Sequence, residues 1–230
     1  MKKFIISIDA GTTSIRSILF DIQGKPIFSS QKEFTQYFPK NGWVEHDPNE
    51  IWIKTKKTLL DVIKKAKKNK GQILTIGITN QRETTILWNK KSGKVLYNAI
   101  VWQDRRTEEF CKKLRSQNKE TPIFNKTGLL IDPYFSATKV KWILDNIPAA
   151  KKLMQRDELM FGTIDTFLIW KLTNGRVHAT DATNASRTLL FNINDNKWDN
   201  ELLKIFKVRK NILPQVKNSA DNYGYTEKSL

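Results

Sequence analysis

Phe4-Ile5-Ile6-Ser7-Ile8-Asp9-Ala10-Gly11-Thr12-Thr13-Ser14-Ile15-Arg16-Ser17-Ile18-Leu19-Phe20-Asp21 decides the architecture of this 230-residue chain. Residues 4–9 read as a buried strand, Gly11 to Ser14 as a turn, and residues 15–21 as a second strand. A turn at Gln23-Gly24-Lys25 leads to a third strand from Pro26 to Phe34, so the chain opens as an antiparallel meander. The first turn also carries chemistry. Glycine permits a sharp bend, the amides that follow can face one concavity, and Thr12, Thr13 and Ser14 add three hydroxyls suited to phosphate oxygens. Asp9 at the strand end offers a hard oxygen ligand for water-held Mg²⁺, and Arg16 adds a fixed positive charge. This hairpin differs from the strand-to-helix phosphate loop. On its own, a Gly-Thr-Thr bend between strands is commonly just a turn.

Working outward, a loop from Phe38 to Asp47 precedes Asp47-Pro48-Asn49-Glu50, which combines an N-cap acid, Pro at the first helical position and Glu at the third. Trp52, Thr55, Leu59, Val62 or Ile63, and Ala66 share one face of the helix, and Gly71 is expected to end it. The continuous apolar run Ile73 to Ile78 reads as a central strand. Thr84 to Trp88 and Val95 to Leu96 form a hairpin about Lys91-Ser92-Gly93, and Ala99 to Trp102 is a short strand ahead of a helix from about Asp104 to Gln117. The second half is mostly helical, with helices at 134–146, 149–156, 163–172 and 198–206 and a short strand at 188–191. The sum is an α/β fold, strands first and helices later, most simply a single domain with or without a helical subdomain.

Further polar groups cluster after the predicted strands. Arg82 and Glu83 follow the run 73–78, where a charged pair at a strand end tends to face a cleft. A bend would let both reach one small polyhydroxy ligand, with Arg donating to hydroxyls and Glu accepting from them. The plainer reading is a surface ion pair. Trp102 can pack against the apolar side of a polyol or serve as a core tryptophan. Asp104 is expected to cap the next helix, and Arg105 and Arg106 to lie on the surface. Tyr134 sits just before a helix that Ser136 can cap, and its hydroxyl could enter a cleft.

Composition bounds the alternatives. Hydrophobic residues make up 39% and charged residues 27%, a globular balance. No apolar run approaches the roughly 18 residues of a membrane span. The run before Asp9 is too short for a signal peptide, so the chain is expected to be cytoplasmic. One cysteine, Cys111, and two distant histidines, His46 and His178, exclude an internal disulfide and a Cys- or His-based metal site. The formal net charge of +17 raises the alternative of a basic nucleic-acid-binding protein. The excess is spread along the chain as lysine, however, without a stripe of Arg forks for base edges, so nucleic acid is not expected as a partner.

Taken together, these stretches resemble the N-terminal half of an FGGY-type carbohydrate kinase, specifically the glycerol-phosphorylating members. Asp9 to Ser14, Asn41 to Pro48, Gly77 to Thr85, Tyr97 to Gln103, Tyr134 to Asn146, Phe161 to Thr166 and Thr180 to Arg187 carry the resemblance. It implies one N-terminal domain over 1–230 with an actin-like, ribonuclease-H-like ATPase fold: a mixed sheet flanked by helices. It implies ATP and Mg²⁺ as cofactors and transfer of the γ-phosphoryl group to a terminal hydroxyl of glycerol, giving glycerol 3-phosphate. By the same resemblance, Thr12, Thr13, Ser14 and Arg16 contact nucleotide phosphates and Asp9 sits near the metal. Arg82, Glu83 and Tyr134 bind glycerol, with Trp102 lining its pocket. The family's catalytic-base aspartate stands in a Gly-Asp-Gln segment, which does not occur here, and no catalytic residue is assigned before Leu230. The chain is therefore expected to need a C-terminal kinase domain as partner and to be inactive alone; an inactive remnant is the alternative. Full-length relatives commonly assemble, so a homo-oligomer is compatible with the resemblance.

Overall fold

Alternation in the opening stretch builds a half-covered sheet. In the computed structural model, which describes residues 2–228, every second side chain from Phe4 to Ala10 is buried and those between are half-buried. In chain order the elements begin with β1 (Lys2–Ala10), β2 (Ser14–Asp21), β3 (Pro26–Glu33), β4 (Glu45–His46), α1 (Pro48–Lys68), β5 (Gly71–Asn80), β6 (Ile86–Asn89) and β7 (Ala99–Ile100). They continue with α2 (Glu108–Ser116), α3 (Glu120–Thr127), α4 (Ser136–Asn146), α5 (Pro148–Gln155), β8 (Leu159–Gly162), α6 (Ile164–Leu172) and β9 (Ala179–Asp181). The last are α7 (Ala182–Ala185), β10 (Phe191–Asn192), β11 (Lys197–Trp198), α8 (Asn200–Phe206) and β12 (Gln215–Lys217). The described residues divide into two compact units, one of residues 2–36, 47–81 and 228, the other of residues 37–46 and 82–227.

In the first unit the strand order is β3-β2-β1-β5, with β5 parallel to β1 and the other pairs antiparallel. The expected meander is present. Asp47 caps α1 by accepting from the Asn49 amide, and Pro48 takes the first helical position. The helix buries Ile51, Thr55, Thr58, Leu59, Val62, Ile63 and Ala66, and it packs on β1, β2, β3 and β5. Trp52, expected on this face, is only half-buried, and Ile51 takes its place. Ser17 and Thr58 satisfy each other at 2.9 Å where sheet meets helix.

Two expectations fail here. The helix ends at Lys68 with Asn69 as its C-cap, and Gly71 instead starts β5. A Cβ at Gly71 would stand 2.1 Å from the Phe4 ring, so glycine is required there by close approach. Nor is β5 a central strand. It stands at the end of the described strand order, and its Leu74 is 49% exposed. Apolar continuity does not distinguish a strand with two neighbours from one with a single neighbour.

The second unit has its own core, in which Leu87, Ile100, Ile123, Val140, Ile143, Phe161, Leu190, Leu202 and Phe206 pack together. Its strands form two-stranded pairs, β6 with β8, β4 with β7, β12 with β9 and β10 with β11. The expected turn at 91–93 forms, with Asn89 Oδ1 accepting from the amides of Lys91 and Ser92. The expected hairpin forms about it, with Trp88 and Val95 in an antiparallel bridge, the Leu96 amide donating to the Leu87 carbonyl at 3.0 Å and the Asn89 amide to the Lys94 carbonyl at 2.9 Å, and β6 also pairs with β8. Residues 188–191 are not a strand, as only Phe191–Asn192 pairs. Cys111 is fully buried, which pushes its thiol up to about 12, so it is a packed side chain. Among the described residues, no helix is long and apolar enough to cross a membrane.

Candidate functional site

In the first unit the hairpin between β1 and β2 sets its groups by strand register. Asp9 pairs with Arg16 across the ladder, and Arg16 Nη2 donates to Asp9 Oδ2 at 3.0 Å. The turn closes by a bond from the Gly11 amide to the Ser14 carbonyl at 3.0 Å. Ser14 Oγ accepts from Gln31 Nε2 at 3.0 Å, Thr13 is exposed, and Thr12 and Ser14 are half-buried. Gly11 does not adopt the left-handed conformation, and a Cβ there would meet only the Ser14 carbonyl, at 3.4 Å. The bend therefore does not need a glycine. Gly11→Ala is expected to keep stability within about 1 kcal/mol of the original, a shift of roughly 2–4 °C in melting temperature at most. A larger drop by differential scanning calorimetry would show that the turn is strained.

Among the described residues, only Arg16 bonds the Asp9 carboxylate, and no group of three His, Cys, Asp or Glu could hold a metal ion. One accessible carboxylate fits Mg²⁺, which keeps several waters and takes its other oxygens from phosphates. In the same unit the end of β5 lies beside this hairpin. Ala10 is in register with Asn80, and the Gln81 amide donates to the Ala10 carbonyl at 2.8 Å.

The second unit holds the other candidate residues. Glu83 has a φ of 62°, in the left-handed region that favours glycine. The Thr84 amide bonds the Arg82 carbonyl at 2.7 Å, giving the bend that lets adjacent Arg and Glu leave a common extended line. The Glu83 carbonyl accepts from Ser136 Oγ at 3.0 Å and Thr85 Oγ1 at 3.1 Å. Its carboxylate Oε1 accepts from Arg187 Nε at 2.6 Å, with the Glu83 side chain 4% exposed. Burial holds the Glu83 pKa above its usual value, while the Arg187 hydrogen bond and the charges of Arg187, Lys139 and Arg82 pull it back. Trp102 is positioned by a 3.3 Å bond from its amide to Thr84 Oγ1. Its ring lies 5.3 Å from that of Tyr134, and the Arg187 guanidinium lies 5.6 Å from the Tyr134 ring. Glu83, Trp102 and Tyr134 thus form one cluster, and Arg82 is exposed at its edge.

Four features of this unit escaped the sequence reading. Arg106 is not on the surface: its side chain is fully buried and bonds Glu45 at 2.7 Å and Asp104 at 2.9 Å. Asp104 caps no helix, because α2 starts at Glu108 and the Asp104 carboxylate instead receives Arg106 and the Val44 amide. Arg105 is half-exposed and paired with Glu108 and Asp132, as a surface arginine would be. Ser136 does not cap α4, since its hydroxyl is committed to Glu83. Lys139, fully buried, donates to the carbonyls of Pro133, Tyr134 and Phe135. The only sequence signals for these were an arginine between aromatic runs and a lysine on an apolar helix face.

The family model for the FGGY family of carbohydrate kinases, N-terminal domain, matches residues 4–230. The chain belongs to that family, and its fold is the family's actin-like one, with a mixed sheet and helices. It is 56% identical over its whole length to a glycerol kinase of Mycoplasmoides gallisepticum, of which it covers 45%, and 54% identical to one of Petrotoga mobilis, of which it covers 46%. Among solved structures, Plasmodium falciparum glycerol kinase with ADP is 38% identical, with a TM-score of 0.94 over 99% of this chain and 46% of that one. Lactobacillus acidophilus gluconate kinase is 27% identical, with a TM-score of 0.87 over 100% of this chain and 44% of that one. The chain spans about half the length of the curated relatives it matches.

Proposed function

We propose that the chain, as one FGGY N-terminal domain over 1–230, supplies the polyol- and phosphate-binding part of an ATP-dependent kinase. The reaction is transfer of the γ-phosphoryl group to a terminal hydroxyl of glycerol, giving glycerol 3-phosphate. The observation that carries this reading is Glu83, a buried carboxylate in a strained conformation, clustered with Trp102 and Tyr134. Its Oε2 receives no bond among the described residues, so it is left to accept hydroxyls. Arg82 donates to hydroxyls, the Tyr134 hydroxyl binds beside it, and Trp102 covers the carbon chain. Thr12, Thr13, Ser14 and Arg16 hold nucleotide phosphates, and Asp9 holds Mg²⁺ through water once those phosphates are present. Bound ATP supplies the phosphoryl group. Catalysis then rests on placing the hydroxyl in line and removing its proton. None of the residues assigned here is a base for that proton. The reading therefore assigns the base to a C-terminal kinase domain and expects no turnover from the 230 residues alone.

The test is glycerol binding to the 230-residue chain by NMR titration, with gluconate and xylulose as competitors. Glycerol is expected to bind weakly and in preference to both. Glu83→Gln is expected to cut its affinity tenfold or more, about 1.4 kcal/mol. Affinity should also fall on acidification through a midpoint above 4.5, the ordinary Glu value, because protonation removes an acceptor. Equal affinity of the Glu83→Gln chain, or binding indifferent to pH, would remove the assignment.

A further inference from the structure

We propose that Arg187 is a positioning residue for polyol recognition: it holds the Glu83 carboxylate in its ionised, hydroxyl-accepting state and braces the Tyr134–Phe135 wall beside it. The inference deepens the reading of this cluster as a polyol site and rests on it.

The two residues are 104 positions apart and joined by a 2.6 Å bond from Nε to Oε1. The backbone around Arg187 is pinned on both sides. Its amide bonds the Asn184 carbonyl at 3.1 Å, the Thr188 amide and hydroxyl both bond the Ala185 carbonyl, and the Thr188 carbonyl receives the Ala137 amide at 2.8 Å. Asp181 anchors the preceding turn by accepting from the Asn184 amide at 2.8 Å. The guanidinium therefore arrives from a fixed base. Its carbon lies 4.9 Å from the Phe135 ring and 5.6 Å from the Tyr134 ring, so one side chain touches both the acid and the aromatic wall.

The other charges acting on Glu83 cannot replace it. Lys139 spends its donors on the carbonyls of Pro133, Tyr134 and Phe135, and Arg82 is exposed and makes no hydrogen bond to Glu83. A charge-assisted bond to a nearly buried carboxylate is the strong kind, and its loss leaves the acid uncompensated.

The experiment uses the 230-residue chain, with glycerol as probe and the Glu83 carboxyl carbon followed by ¹³C NMR across pH. In the unaltered chain, the Arg187 Nε–H resonance should titrate with the same midpoint as the Glu83 carboxyl. In Arg187→Gln the Glu83 midpoint should move upward, and glycerol affinity at pH 7 should fall about tenfold or more, with a smaller loss at higher pH. Arg187→Lys should restore part of both. A merely structural role would leave the Glu83 midpoint in place. Different midpoints for Nε–H and Glu83 in the unaltered chain overturn the inference even if neither variant folds. So does an Arg187→Gln chain that keeps both the midpoint and the affinity. A failure of the unaltered chain to bind glycerol, with the two resonances titrating together, overturns the polyol reading instead.

Discussion

Arg106→Met is expected to lower the melting temperature by about 10 °C, followed by calorimetry or circular dichroism. The Arg106 side chain is fully buried and makes bonds to two carboxylates, Glu45 and Asp104, whose side chains are 4% and 0% exposed. Its guanidinium also lies 3.7 Å from the Trp43 ring and 4.7 Å from the Trp142 ring. Methionine keeps much of the volume and none of the donors. Removing one partner of a buried ion cluster costs about 3–5 kcal/mol, because the remaining charges stay in place without compensation. In a chain of this size each kcal/mol is worth roughly 2–4 °C. Glu45 would keep its bonds from Tyr97 Oη at 2.6 Å and Asn98 Nδ2 at 3.0 Å, and Asp104 its bond from the Val44 amide at 2.6 Å. Stranded charge therefore predicts that adding Asp104→Asn to Arg106→Met recovers part of the loss. If it recovers none, the damage comes from the aromatic stack.

Lys139→Met is the second large effect, expected to cost about 3 kcal/mol or more and to abolish measurable glycerol binding. Lys139 Nζ donates to three successive carbonyls, at 2.7 Å for Pro133, 2.5 Å for Tyr134 and 3.1 Å for Phe135. Three acceptors use all three protons of an ammonium, while burial pushes its pKa down to about 7. The sign of the linkage follows. A lysine of ordinary value 10.5 held near 7 binds fewer protons folded than unfolded across that window. Its contribution to stability therefore rises as pH rises from about 7 to 10.5 and is lost below about 7. In Lys139→Met that slope should vanish, and the carbonyls should lose donors at about 1–3 kcal/mol each where no other donor reaches them. The segment they belong to carries Tyr134, so the binding loss should exceed what the stability change alone would give. Melting curves at several pH values and glycerol titrations separate the two.

The opening meander was legible because each of its strands lies between turn signals, and the α1 start because Asp47-Pro48 is a local device with a local outcome. The β5 position was not, since the identity of a strand's neighbours is a tertiary fact. The same division holds at the site. Glu83, Trp102 and Tyr134 each follow or precede a predicted element and could be named singly. Arg187 could not, because its pairing with Glu83 spans 104 positions and carries no periodic trace. Arg106 was misjudged for a related reason. Charge next to charge, Asp104-Arg105-Arg106, reads as solvated surface until the Trp43 and Trp142 rings are known to enclose it.

Glu83 sits where glycine would be more comfortable, at a φ of 62° and with its acid desolvated. Both conditions oppose folding, by about 1–3 kcal/mol for the backbone alone. If Glu83 binds a polyol as proposed, heat tolerance and grip on a sugar alcohol pull this position in opposite directions, and a version of the chain bred only for robustness should surrender the carboxylate.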